Sequence, residues 1–141
     1  MTQALVHTAG RLHPMVLHLP IGLLLGLAAW ELWRALRGRS APGLGSGVVF
    51  LSWLGVAGAA GAIATGLAHE AELGEDSAIA LHKWLGIGAG VGALLTAIAA
   101  TVVSVGDRPT CERGARRRTG VYRFVLFSTL GVLIPAGHFG G

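Results

Sequence analysis

Six histidines are the residues of this chain best suited to chemistry. A neutral imidazole serves as an axial ligand of haem iron and also takes copper or zinc. Two of them stand in the stretch Leu12-His13-Pro14-Met15-Val16-Leu17-His18-Leu19-Pro20-Ile21-Gly22, at the threshold of a long apolar run. A segment that only had to cross a membrane would need neither imidazoles nor a second proline. His13 and His18 are five residues apart, about 140° round a helix, so both cannot point squarely at one partner. His18 lies inside the first helix, and His82 opens the third at comparable depth, with Lys83 and Trp84 beside it. That makes His18 and His82 the expected buried pair. His13 and His138 are the next candidates, His69 is either a ligand or a rim residue, and His7 is read as an uninvolved interfacial residue. Taken singly, each histidine has a plainer explanation, because an amphipathic ring tolerates the headgroup region. Taken together they do not, since ionisable groups at membrane depth are functional candidates by default.

The elements that position these rings are membrane helices. Of the 141 residues, 52% are hydrophobic and only 13% charged. Four apolar stretches are long enough, or nearly so, to cross a bilayer. The expected helices run over 14–36, 48–68, 79–106 and 120–138 of a single domain covering 1–141. Pro14 is placed as a first-turn residue, and Pro20 as the cause of a bend that turns His18 inward. The third helix carries Gly86, Gly88, Gly90 and Gly92, which predicts either tight helix contacts or room for a flat bulky group. Glu31, the only acid inside an expected span, is read as a snorkelling ion pair with Arg34. Glu70 could orient an imidazole N–H, although a solvated acidic loop is the simpler account.

Charge sets the expected orientation. The net charge of +4 comes mainly from arginines flanking the apolar runs: Arg34, Arg37 and Arg39, then Arg108, Arg113, Arg116, Arg117, Arg118 and Arg123. This is a topology signal and not a nucleic-acid surface. With both arginine-rich connections cytoplasmic, the acidic connection and both termini lie outside, N-out and C-out. All six histidines then fall at or beyond the extracytoplasmic helix ends. The single cysteine excludes an internal disulfide, and no C-x-x-C-H provides for covalent haem attachment. The first apolar run has no basic start or small-residue cleavage site and is read as a retained helix. G-x-S-x-G, P-loop and H-E-x-x-H motifs are missing, which argues against hydrolases and zinc proteases.

The opening His13-Pro14-x-x-x-His18-x-Pro20-Ile21, together with Thr65-Gly66, His82-Lys83-Trp84-Leu85-Gly86 and Gly137-His138-Phe139-Gly140-Gly141, resembles a bacterial four-helix inner-membrane family, domain of unknown function 2231. The resemblance covers nearly the whole chain. Related domains occur fused to cytochrome c modules, so it implies redox work at the extracytoplasmic face and a haem or metal held by His13, His18, His82 and His138. Longer members continue past the position of Gly141, and the resemblance then implies that a partner supplies what the extension would.

The expectation is therefore an all-α four-helix transmembrane bundle in the bacterial inner membrane. It would bind haem b and pass electrons between a membrane donor, such as quinol, and a periplasmic cytochrome. One alternative is a cofactor-free accessory or assembly subunit of a larger membrane complex. The other is copper or zinc at the same histidines. Each reading makes it a subunit and not a stand-alone enzyme.

Overall fold

The structure, a computed structural model, describes residues 2–37, 44–73, 77–106 and 112–139. They form four helices: α1 (Thr2–Leu36), α2 (Ser46–Leu73), α3 (Ser77–Val105) and α4 (Glu112–Phe139). Each packs on the next in sequence, and α4 returns against α1. The starts of α1 and α3 share one end of the bundle with the ends of α2 and α4, as the His13–Thr65 and His82–Ala136 contacts require. We call this the histidine end. The opposite, arginine end joins Glu31 of α1 to Arg123 of α4.

Each helix buries one stripe, with steps of three and four residues. On α1 it is Pro20, Leu24, Leu27, Ala28, Glu31 and Arg34; on α3 it is Ala89, Ala93, Thr96, Ala97, Ala100 and Val103. That spacing is the seam of a four-helix bundle. The outer faces are apolar as well, with Leu25, Phe50, Trp84, Ile98, Phe124 and Ile134 all exposed. Water would select against such a surface, whereas lipid chains cover it without cost. All four helices are long and apolar enough to span a membrane, which fits a multi-pass protein in a lipid bilayer.

Small residues let the backbones close in. The ring of Pro20 packs against Gly58, where a Cβ would stand 3.1 Å from the proline Cδ. Pro20 is thus a packing residue, buried inside a helix that continues through both Pro14 and Pro20. Each proline withholds one backbone N–H, a loss that membrane helices tolerate where neighbouring groups compensate. Three of the four third-helix glycines lie in contact with a neighbouring helix. Gly88 faces Val132, Gly90 faces Ile63 and Gly92 faces Thr129. An alanine Cβ at position 92 would lie 2.5 Å from Thr129 Oγ1, and the β-branched threonine has little rotamer freedom with which to yield. Gly92→Ala is therefore expected to lower unfolding stability in detergent by about 1–3 kcal/mol. Gly26→Ala, with nothing within 4 Å, should be neutral or stabilising by at most about 1 kcal/mol.

The helices run further than the sequence predicts. α1 begins twelve residues before Pro14, at Thr2, and α4 begins at Glu112. The arginines at 113 and 116–118 are thus helical, as good helix propensity and an acid in the first turn favour.

Candidate metal centre

At the histidine end the structure brings His13 and His82 together. Their ring centres are 6.3 Å apart and the planes are nearly perpendicular, at 84°. His18, the expected partner of His82, is not there. It is exposed on the outer face of α1, and its Nδ1 donates to the Pro14 carbonyl one turn back. The physical reason is helical phase. Because α1 continues through Pro20, His13 stays on the buried stripe with Pro20 and Leu27, seven and fourteen residues on, and His18 points about 140° away. His138 is exposed near the end of α4. The side chains of His7 and His69 lie outside the described residues.

Both paired rings are held at Nδ1. The Thr65 hydroxyl gives its single hydrogen to the helix carbonyls of Gly61 and Ala62, at 2.9 and 3.1 Å. Its oxygen also lies 3.0 Å from His13 Nδ1. On the other ring, His82 Nδ1 donates to the Ala136 carbonyl at 2.9 Å. The carbonyl partner puts the hydrogen of neutral His82 on Nδ1 and leaves the lone pair on Nε2, the nitrogen through which such a tautomer ligates metals.

The chain makes room for this arrangement. Gly66 lies against His13, and a Cβ there would come 2.9 Å from the ring Cε1. Gly86 stands one turn from His82, and a Cβ there would meet nothing within 4 Å, so space remains beside that part of α3. Next to His82, Lys83 pairs with Glu70 across α2 and α3 at 2.6 Å. Glu70 thus serves an ion pair.

Neutral imidazole nitrogen is a ligand that haem iron, copper and zinc all accept. Among the described residues there is no group of three or more His, Cys, Asp or Glu side chains placed to hold a metal. The His13–His82 pair brings together two imidazoles from two helices.

Two substitutions probe the support of the pair. Thr65→Val removes the partner at His13 Nδ1, and Gly66→Ala drives a methyl into the ring. Each is expected to weaken metal or haem binding by about 10–100-fold, the usual effect of losing an outer-shell partner, as read by titration of the purified protein. Thr65 and Gly66 entered the sequence reading as part of the family motif, with no contact to a histidine assigned to either. Their signal was a hydroxyl next to a glycine near the end of a small-residue face.

The arginine end holds a second polar cluster. Glu31 is fully buried and receives Arg34 Nη1 at 2.8 Å and Arg123 Nε at 2.9 Å. The expected snorkelling pair is therefore a buried interhelical triad, because Arg123 of α4 approaches from across the bundle. Compared with family models, curated proteins and solved structures, the chain finds no match.

Proposed function

We propose that this chain is a b-type haem protein of the bacterial inner membrane, with His13 and His82 as axial ligands, serving electron transfer at the extracytoplasmic face. One observation carries the reading: two imidazoles from different helices stand 6.3 Å apart, and both are oriented through Nδ1. Bound there, haem would supply one-electron redox chemistry. The protein's own residues do the rest. Thr65 and the Ala136 carbonyl fix the two rings, Gly66 gives His13 its place, and the Lys83–Glu70 pair sets the local field. The outward apolar faces keep water from the bundle.

Orientation follows the arginines. Arg37 and Arg116, Arg117 and Arg118 are exposed at the end opposite the histidines. The positive-inside rule assigns that end to the cytoplasm and the histidines and both termini to the periplasm. Electrons would pass between a membrane donor such as quinol and a periplasmic cytochrome.

A second reading has its own support. Each imidazole already ties two helices together, His13 joining α1 to α2 and His82 joining α3 to α4. Such clasps serve equally in a cofactor-free accessory subunit of a larger membrane complex. A reduced-minus-oxidised absorption spectrum decides. Protein produced with haem available and lacking a haem band would sink the first reading, and metal analysis would then test copper or zinc against the second.

A further inference from the structure

The last turns of α1 carry an ordered outward face. Trp30 and Trp33 stack, with ring centres 5.1 Å apart and planes inclined by 23°. The Arg37 guanidinium lies over the Trp33 ring, its carbon 5.3 Å from the ring centre. Steps of three and four residues set all three side chains on one side of the helix. That side is open: Trp30 is 50% exposed, Trp33 is 37% exposed, and Arg37 is exposed as well. The ring face attracts the cation without occupying its N–H donors with an oxygen acceptor. Among the described residues no carboxylate pairs with Arg37, since Glu31 holds Arg34 and Arg123, and Glu70 holds Lys83.

The depth of this face follows from the Glu31–Arg123 link, which fixes antiparallel α1 against α4. Arg37 stands six residues past Glu31, and Arg117 stands six before Arg123. At about 1.5 Å of rise per residue, both lie about 9 Å beyond the link, at one level. Arg116 and Arg118 flank Arg117, and all three are exposed. Among the described residues this level has exposed cations and no exposed acid. Trp33 lies between it and the link, at the depth where indoles meet the boundary of headgroups and chains.

We propose that Trp30, Trp33 and Arg37 form a docking surface for one anionic phospholipid, whose phosphate takes the Arg37 guanidinium while its chains start along the two indoles. The charge around it selects the headgroup. Arg116, Arg117 and Arg118 attract a net negative headgroup and repel the ammonium of a zwitterionic one. The indole sets Arg37 apart from those three. A side chain already laid on a ring loses less rotamer freedom on binding than one that swings in solvent.

The test uses the whole protein, delipidated in mild detergent. Native mass spectrometry and thermal melting are read with phosphatidylglycerol, phosphatidylcholine or inorganic phosphate at matched ionic strength. The expected result is one retained phosphatidylglycerol and a rise in melting temperature that neither phosphatidylcholine nor inorganic phosphate gives. In Arg37→Gln that binding should weaken about tenfold, the effect of one charge-assisted contact. Trp33→Leu keeps both the cation and an apolar side chain, and should weaken it about two- to fivefold, the worth of an exposed cation–π contact. Arg117→Gln removes the same charge at the same level but no platform, so its loss should be smaller than that of Arg37→Gln. Circular dichroism checks that each variant, changed only at an exposed side chain, keeps its helices. Equal retention of the two lipids by the parent overturns the proposal. So does a Trp33→Leu variant that binds phosphatidylglycerol like the parent, or equal losses in Arg37→Gln and Arg117→Gln, since either would show diffuse attraction without a docking surface. Displacement of the lipid by inorganic phosphate would overturn the phospholipid as occupant.

Discussion

Replacing His82 by alanine is expected to abolish the haem band of the purified protein, and His13→Ala should do the same, while His18→Ala leaves it in place. Each paired imidazole would supply one of two iron bonds, so losing either removes half of the axial set. His18 is exposed and donates to its own helix at Pro14, so its removal touches neither ring. Helicity of each variant, read by circular dichroism, separates loss of ligand from loss of fold. His82→Ala also leaves the Ala136 carbonyl without its 2.9 Å donor. It should therefore cost about 1–3 kcal/mol of stability besides. A parent with a haem band that survives in both His13→Ala and His82→Ala would place the ligands elsewhere. A band lost in His18→Ala would restore the pairing that sequence spacing favours.

Spacing favoured His18, whereas the structure sets His13 beside His82. The reading began the helix at Pro14 and let Pro20 bend it, which put His13 outside and turned His18 inward. The chain instead keeps α1 helical from Thr2 to Leu36 and packs Pro20 on Gly58. With an unbroken helix the buried phase follows from position, and Glu31, the one acid in the span, marks it: His13 and Glu31 are eighteen residues apart, five turns at about 3.6 residues each. Hydrophobicity could not reveal that phase. In a bilayer the outward face is as apolar as the inward one, so Leu25 outside and Leu24 inside carry the same signal. The all-α four-helix architecture was legible because span length and arginine-rich breaks suffice for it. On α3 the buried face is lined by small residues, Ala89, Ala93, Ala97 and Ala100, which the sequence reading, drawn to the glycines at 86–92, did not single out. The polar pairings across helices were less legible. Nothing in the order of residues announces that Arg123 reaches Glu31 across 92 positions of chain, or that Thr65 stands beside His13. Such pairs are set by register between helices, and register is fixed by packing at glycines such as Gly58 and Gly92.

Glu31→Gln should be the most destabilising single change at the arginine end. The carboxylate is fully buried and holds two arginines from two helices, at 2.8 and 2.9 Å. Removing its charge takes away the buried carboxylate that both guanidinium groups bind, which typically costs about 3–5 kcal/mol. Measured by denaturant or dodecyl sulfate titration with circular dichroism, the variant should unfold far earlier than the parent. The two arginines should not be equivalent. In Arg34→Gln, Arg123 can take both carboxylate oxygens as a fork, so the pair survives and one α1–α4 link remains. In Arg123→Gln the acid keeps only its neighbour on the same helix, and the bond between α1 and α4 is lost. The larger loss is thus expected for Arg123→Gln. Combined with Glu31→Gln it should be clearly less than additive, because the second change removes a charge that the first had left unpaired. Equal stability of Glu31→Gln and parent would mean that the triad does not hold α1 to α4, and that their packing rests on apolar contact alone.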